Sequence, residues 1–333
     1  MARHAVVMMN LGGPDSPAAV RPFLYKLFSD PAIIGLPAVL RLPLAWLVAR
    51  RRAAVARDIY AHLGGASPLL ANTQAQAQAL EAVLGTGYRC FVAMRYWHPL
   101  TAEVVGTLKA WQPDEITLLP LYPQFSTTTT ASSFAVWRRE AMRQGLTAAT
   151  REIGSYPEAS GFIDAVAGRV AAELDQAAAR GEPVRLLFSA HGLPLKIVRA
   201  GDPYPQQVER TAAAVVQALG RPLLDWRVCY QSRVGPLAWL GPAIDDELRQ
   251  AGRDRIGVVV APISFVSEHS ETLVELDRDY RNLAEGCGVP AYRRVATVGT
   301  DPRFIAALAA LVRGTPSDGQ AHEAAVALSG AGE

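Results

Sequence analysis

The chain is poor in cysteine, in unbroken apolar runs and in excess charge of either sign, and each shortage removes a class of function. Only three of its 333 residues are cysteines, Cys90, Cys229 and Cys287. They stand far apart without CxxC spacing, which argues against a disulfide framework, a structural zinc site and an iron–sulfur motif. Free thiols in a reducing cytoplasm are the simpler expectation. The most apolar segment, Asp30 to Ala49, is interrupted by Arg41 and broken by Pro37 and Pro43. A membrane-spanning helix needs roughly 20 uninterrupted apolar residues, so no span is expected. Met1 to Asn10 is too short and too strand-like for a signal peptide. The net charge of +2 brings no basic arm, so no nucleic-acid partner is expected. Gly12-Gly13 fits neither G-x-G-x-x-G nor the Walker pattern, which leaves nucleotide binding without support.

What is present is an alternation of short apolar runs and helical patterns, the mark of an α/β fold built on parallel sheets. Strands are expected at His4 to Asn10, Tyr88 to Met94, Glu115 to Leu121, Arg185 to Ala190, Trp226 to Tyr230, Ile256 to Ile263 and Arg293 to Val298. Helices are expected from about Ala18 to Phe28, Ala53 to His62, Thr101 to Trp111, Ser132 to Gln144, Pro205 to Leu219 and Pro302 to Val312. A further helix is expected to begin at a cap on Asn72 or Thr73. Residues after Thr315 read as a frayed tail.

Two stretches carry the chemistry. RLLFSAHGLP sets His191 at the carboxyl end of a strand, where open α/β sheets bind ligands. A strand-end histidine is more often structural than catalytic, so it needs a partner. SFVSEHSETLVELDRDY, after a second strand, supplies one. On a helix, Glu271, Glu275 and Asp279 fall in one stripe, with Glu268 and His269 at its start. Acidic residues four apart usually form a solvated face. Here no lysine follows four residues on, so the row reads as unpaired negative charge and a plausible path for a divalent cation.

Three strand exits repeat in order. MNLGGP matches SAHGLP, MRYWHP matches YQSRVGP, and LPLYPQFS matches APISFVS. Three matches in register point to two similar Rossmann-like domains, each a four-stranded parallel sheet flanked by helices, with a cleft between them. The boundaries expected are residues 1–158, 159–314 and a tail at 315–333, with an insertion at about 30–70 in the first domain. Its apolar segment, closed by Arg50, Arg51 and Arg52, is either a helical pair covering the sheet or an exposed apolar flap. A flap would touch a membrane surface or a flat apolar ligand.

MNLGGPDSP, RPFLYKLFSDP, RYWHPLT, YPQFSTTT, FSAHGLP, QSRVGPLAWLGP and SFVSEHSETLVELD together resemble the ferrochelatase family over nearly the whole chain. The resemblance implies a metal chelatase of the lyase class that inserts ferrous iron, as substrate, into protoporphyrin IX to give haem. It implies that His191 and Glu271 are the catalytic and metal-contacting residues, with His269, Glu275 and Asp279 along a metal or proton path. It implies that Arg51 and Arg52 meet propionates beside Tyr60 and Ser67. Leu11, Arg95, Tyr96, Tyr122, Ser126, Trp239 and Phe265 would line the macrocycle. Some members hold a [2Fe–2S] cluster through a cysteine-rich tail; this tail has no cysteine, so no cluster and no other cofactor is expected. Asp15, in GGPDSP, favours the protoporphyrin branch over the coproporphyrin III branch. The alternatives are a coproporphyrin III ferrochelatase, a non-enzymatic haem or porphyrin carrier, and a sirohydrochlorin-type chelatase. The protein is expected in the cytoplasm, as a monomer or homodimer, with weak peripheral contact between flap and membrane.

Overall fold

The computed structural model describes residues 2–314 apart from 234 and 236; the expected tail lies outside the described residues. Two four-stranded sheets organise the chain. In the first, β1 (His4–Asn10), β2 (Tyr88–Met94), β3 (Glu115–Pro120) and β4 (Ala149–Glu152) stand in the order β2-β1-β3-β4. In the second, β5 (Val184–His191), β6 (Trp226–Gln231), β7 (Gly257–Pro262) and β8 (Tyr292–Arg294) stand in the order β6-β5-β7-β8. Every pairing is parallel. Every residue of β7 is buried, as an inner strand covered on both faces requires.

The helices of the first half are α1 (Val20–Phe28), α2 (Ala38–Ala61), α3 (Leu69–Leu84), α4 (Thr101–Trp111) and α5 (Ser132–Gln144). Those of the second are α6 (Ser160–Ala179), α7 (Leu195–Arg199), α8 (Tyr204–Leu219), α9 (Ile244–Asp254), α10 (Arg281–Gly286) and α11 (Pro302–Arg313). A π-helical turn, Thr127–Ala131, precedes α5, and a longer π-helix, Glu271–Tyr280, precedes α10.

Strand alternation divides the core. On one face of the first sheet, Ala5, Val7 and Met9 pack with Val104, Leu108, Phe134 and Trp137 from α4 and α5. On the other, Val6 and Met8 join Leu80, Phe162, Val166, Phe188, Val208 and Phe304 in one cluster that spans both halves. The second sheet's outer face packs Leu187, Val258 and Val260 against Leu248 of α9 and Leu276 of the π-helix. The halves therefore share a core, and α11 returns from the second to pack on α3 of the first.

Several expectations are corrected. β4 carried no sequence signal, because ATRE is short and its residues are exposed or half-buried at the sheet edge. Pro43 does not split the apolar segment. A single helix runs from Ala38 to Ala61 with Pro43 inside it, which forfeits the hydrogen bond that its missing N–H would have given to the preceding turn. Arg41 interrupts the apolar run with its guanidinium engaged: it donates to the carbonyls of Ser29 and Leu36, bracing the turn before α2. α3 starts at Leu69, so Asn72 and Thr73 lie within it and cap nothing. The last strand ends at Arg294, short of Val298. α1, ahead of the expected insertion, packs along α2.

Candidate functional site

β5 delivers His191 at its carboxyl end, flanked by Gly192. A Cβ at Gly192 would stand 2.8 Å from the Gln231 carbonyl and 3.3 Å from the Trp239 ring, so the turn admits no side chain. The Tyr204 hydroxyl, from the start of α8, donates to the His191 carbonyl at 3.0 Å and fixes the strand end. Across from it, the first residue of the π-helix is Glu271. His191 Nδ1 lies 3.0 Å from Glu271 Oε2, and His269 Nε2 lies 3.8 Å from the same oxygen. With Nδ1–H given to an ionised carboxylate, Nε2 becomes an acceptor whenever the ring is neutral. The His191 side chain is 42% exposed and that of Glu271 26%, so the pair opens onto the cleft.

Burial disfavours charge on both groups, yet their mutual attraction prevails. His191 is raised above the ordinary histidine value by the Glu271 carboxylate, and Glu271 is held well below the carboxylate range by His191 and His269. Glu275, one turn along, is raised by burial and by the Glu271 charge. Its carboxylate accepts from the Ser232 N–H at 2.9 Å, the Ser232 hydroxyl at 2.5 Å and the Gln231 amide at 3.1 Å. Gln231 also donates to the Glu271 carbonyl, so it ties the two turns together. Sequence reasoning passed over Gln231 and Ser232; their position at the end of β6 was the available signal.

The cleft faces an insertion that leaves its apolar side in water. Ile33, Leu36, Val39, Leu40, Leu42, Leu44, Trp46 and Leu47 are all exposed, Val39 by 80%. The guanidinium groups of Arg21 and Arg50 stand 5.4 and 5.5 Å from the centre of the Trp46 ring. No helix among the described residues is long and apolar enough to cross a membrane.

A family model described as ferrochelatase matches residues 3–315. The chain belongs to the ferrochelatase family. It is 54% identical over 316 residues to the ferrochelatase of Caulobacter vibrioides, covering 93% of this chain and 89% of that one. It is 48% identical to the ferrochelatase of Wolbachia pipientis wMel, covering 94% and 100%. Among solved structures it resembles the sirohydrochlorin chelatase SirB from Bacillus subtilis subspecies spizizenii, with a TM-score of 0.54 at 12% identity. That likeness covers 93% of this chain and 94% of SirB and speaks to the fold alone.

Within this ferrochelatase-family fold, the expected site residues divide. His191, Glu271, His269 and Glu275 come together. Phe265 joins them, its ring 6.4 Å from that of His191 and 4.6 Å from that of His269. Asp279 does not complete a continuous stripe: the helix is π rather than α, and Asp279 is exposed near its end. Nor is Glu271 unpaired, since two histidines face it. Among the described residues no three His, Cys, Asp or Glu side chains form a cage for a metal ion.

Of the expected macrocycle contacts, Leu11, Tyr122 and Trp239 are half-buried around the strand exits. Ser67 is held near Gly13, where a Cβ would stand 2.5 Å from it. Tyr60 is buried, and burial, with the Glu271 charge adding to it, pushes its phenol up to about 12. Tyr96 and Ser126 offer no surface to a ligand as they stand. Tyr96 is 1% exposed and donates its hydroxyl to Asp30; Ser126 donates to Asp202 at 3.0 Å and caps the π-helical turn. Arg95 is likewise engaged by Asp30 and Ser132. Arg51 and Arg52 are exposed on α2, and Arg52 lies 5.8 Å over the Phe28 ring.

Proposed function

We propose that this protein inserts ferrous iron into protoporphyrin IX to give protohaem, the terminal step of haem synthesis. The observation that carries the reading is the His191–Glu271 pair, 3.0 Å apart and open to the cleft between the two halves. Insertion exchanges two pyrrole protons for one dication, so the site must accept protons where a metal enters. A dication approaching the pair displaces the imidazole proton, because a nitrogen ligand must be deprotonated to bind metal. Family membership adds the substrate class, porphyrin and iron.

Glu275 is the reading's proton store. Burial and the neighbouring carboxylate raise it, so it holds a proton more readily than Glu271 does. Asp279, exposed beyond it, is the outlet to water. The chemistry needs no [2Fe–2S] cluster, a reading supported by the location of Cys90, Cys229 and Cys287 on β2, on β6 and after α10.

The exposed apolar side of α2, with Arg50, Arg51 and Arg52 along it, supports weak peripheral contact with an anionic membrane surface. The same arginines suit porphyrin propionates. Anaerobic turnover with ferrous iron, comparing protoporphyrin IX with coproporphyrin III, tests the assignment. Faster insertion into protoporphyrin is expected. Faster insertion into coproporphyrin reassigns the substrate, and binding of both without turnover would make the protein a carrier.

A further inference from the structure

We propose that Gln76, on α3 of the first half, is a positioning residue for the Glu271 helix of the second half. The inference rests on the site reading above, because it concerns how that carboxylate is held against His191.

Gln76 is fully buried, and three hydrogen bonds engage both ends of its amide. The amide nitrogen donates to the carbonyls of Val266 and Gly299, at 2.9 Å each. The amide oxygen accepts from the Ser267 hydroxyl at 2.8 Å. One turn earlier on the same helix, Asn72 donates to the Glu268 carbonyl at 2.8 Å. These bonds seize three successive residues, 266 to 268, of the segment between β7 and the π-helix. That segment sets the start of the helix, and hence where the Glu271 carboxylate stands. His191 arrives from β5, so the 3.0 Å contact depends on two separately mounted supports. A shift of about 1 Å at a reacting pair costs roughly a hundredfold in rate.

The mirror half supplies the control. α3 and α8 are each 16 residues long and occupy corresponding places after the first strand of each half. Gln207 and Thr211 of α8 stand where Asn72 and Gln76 stand on α3. Gln207 accepts from the Phe125 N–H at 2.7 Å, and Thr211 accepts from the Gln124 amide at 2.9 Å. Each half thus holds the other's loop after its third strand. Only the loop held by Gln76 leads to the carboxylate.

The test compares Gln76→Met, which keeps length and loses all three bonds, with Thr211→Val, which loses the mirrored bond. Anaerobic insertion kinetics are read well below each variant's Tm, together with amide hydrogen exchange over residues 264–271. Gln76→Met should lose roughly a hundredfold in kcat with unchanged KM for porphyrin, and its segment should exchange faster. Thr211→Val should lower Tm yet retain wild-type kcat. Wild-type kcat in Gln76→Met, or an equal loss in both variants, overturns the inference. If Gln76→Met does not fold, Asn72→Ala takes its place under the same outcomes, since that side chain is only half-buried. Glu271→Gln is run alongside: wild-type turnover there overturns the site reading itself, and is scored separately from Gln76.

Discussion

The two halves of the molecule are one scaffold used twice, and they differ most where their strands end. The Met94 N–H donates to the Pro99 carbonyl at 2.7 Å, and in the second half the Tyr230 N–H donates to that of Pro242 at 2.9 Å. The Leu121 N–H donates to the Met9 carbonyl, as that of Ile263 does to Ser189. In this register Leu11 occupies the place of His191, Thr129 that of Glu271, Ser133 that of Glu275 and Arg95 that of Gln231. The expected match of RYWHP to QSRVGP holds for its strand, but the proline equivalent to Pro99 is Pro242.

The difference lies in what each half does with a buried carboxylate. In the first, Asp30 is saturated: Arg95, Tyr96 and Ser132 all donate to Oδ2, and the Ala32 N–H donates to Oδ1. Burial alone would raise its pKa, yet the hydrogen bonds and Arg95 hold it below the ordinary aspartate value. In the second, Glu271 faces His191 and His269, whose charge depends on pH, and its side chain stays partly open. A carboxylate tied to an arginine is a fixed structural group. One tied to imidazole can exchange protons. Duplication supplied two similar strand exits, and the insertion and the chemistry went to opposite halves.

The largest expected effect breaks the comparison at its centre. His191→Ala should fold, bind porphyrin and lose roughly 10²–10⁴-fold in kcat, the usual worth of a positioned base. Leu11→Ala, its counterpart, should instead raise the porphyrin KM with little change in kcat. Near-normal turnover in His191→Ala would make the strand-end histidine structural. Glu271→Gln should also cripple insertion, because it removes the charge that holds His191. Glu275→Gln should do less, and Asp279→Asn least, both read in steady state as a raised KM for iron. An inverted order along the π-helix would move the site toward solvent.

A middling effect concerns Asp30. Its folded pKa is depressed, so its stabilisation is complete above about pH 4, the unfolded aspartate value, and is lost as pH falls through the lower folded value. Asp30→Asn should lower Tm at neutral pH and flatten the loss of Tm on acidification. A parallel pair of pH–Tm curves would mean that the depressed pKa contributes nothing. The smallest effects belong to the flap. Leu40→Ser with Leu44→Ser should leave Tm nearly unchanged, because both residues are exposed, while raising the porphyrin KM and weakening binding to anionic liposomes. Arg51→Leu should cost more with a free-acid porphyrin than with its diester. Equal losses on both would leave the arginines as solubilisers.

Much of this was legible in the residues themselves. Apolar runs bounded by turn residues marked β1, β3, β5 and β7, because an inner parallel strand must be apolar on both faces, while the edge strands β2 and β6 showed through the buried ends of their runs. Helices such as Thr101–Trp111 and Ser132–Gln144 agree with their patterns to the residue, and the order of the motifs marked the family and its duplication. Local pattern could not reveal β4, whose pairing lies at an edge, or the continuity of α2 through Pro43. It could not separate Tyr96 and Ser126, held from below by Asp30 and Asp202, from residues that face the cleft, since the two kinds look alike in a string of letters. The sequence determined which groups the protein owns: a strand-end imidazole, a row of carboxylates, an apolar flap. Only the tertiary structure decided that His191 and Glu271, 80 positions apart, meet at 3.0 Å, and that Gln76 of the other half holds the loop between β7 and the Glu271 helix. Such contacts are set by the packing of two halves around a shared core, and that packing has no period in the chain.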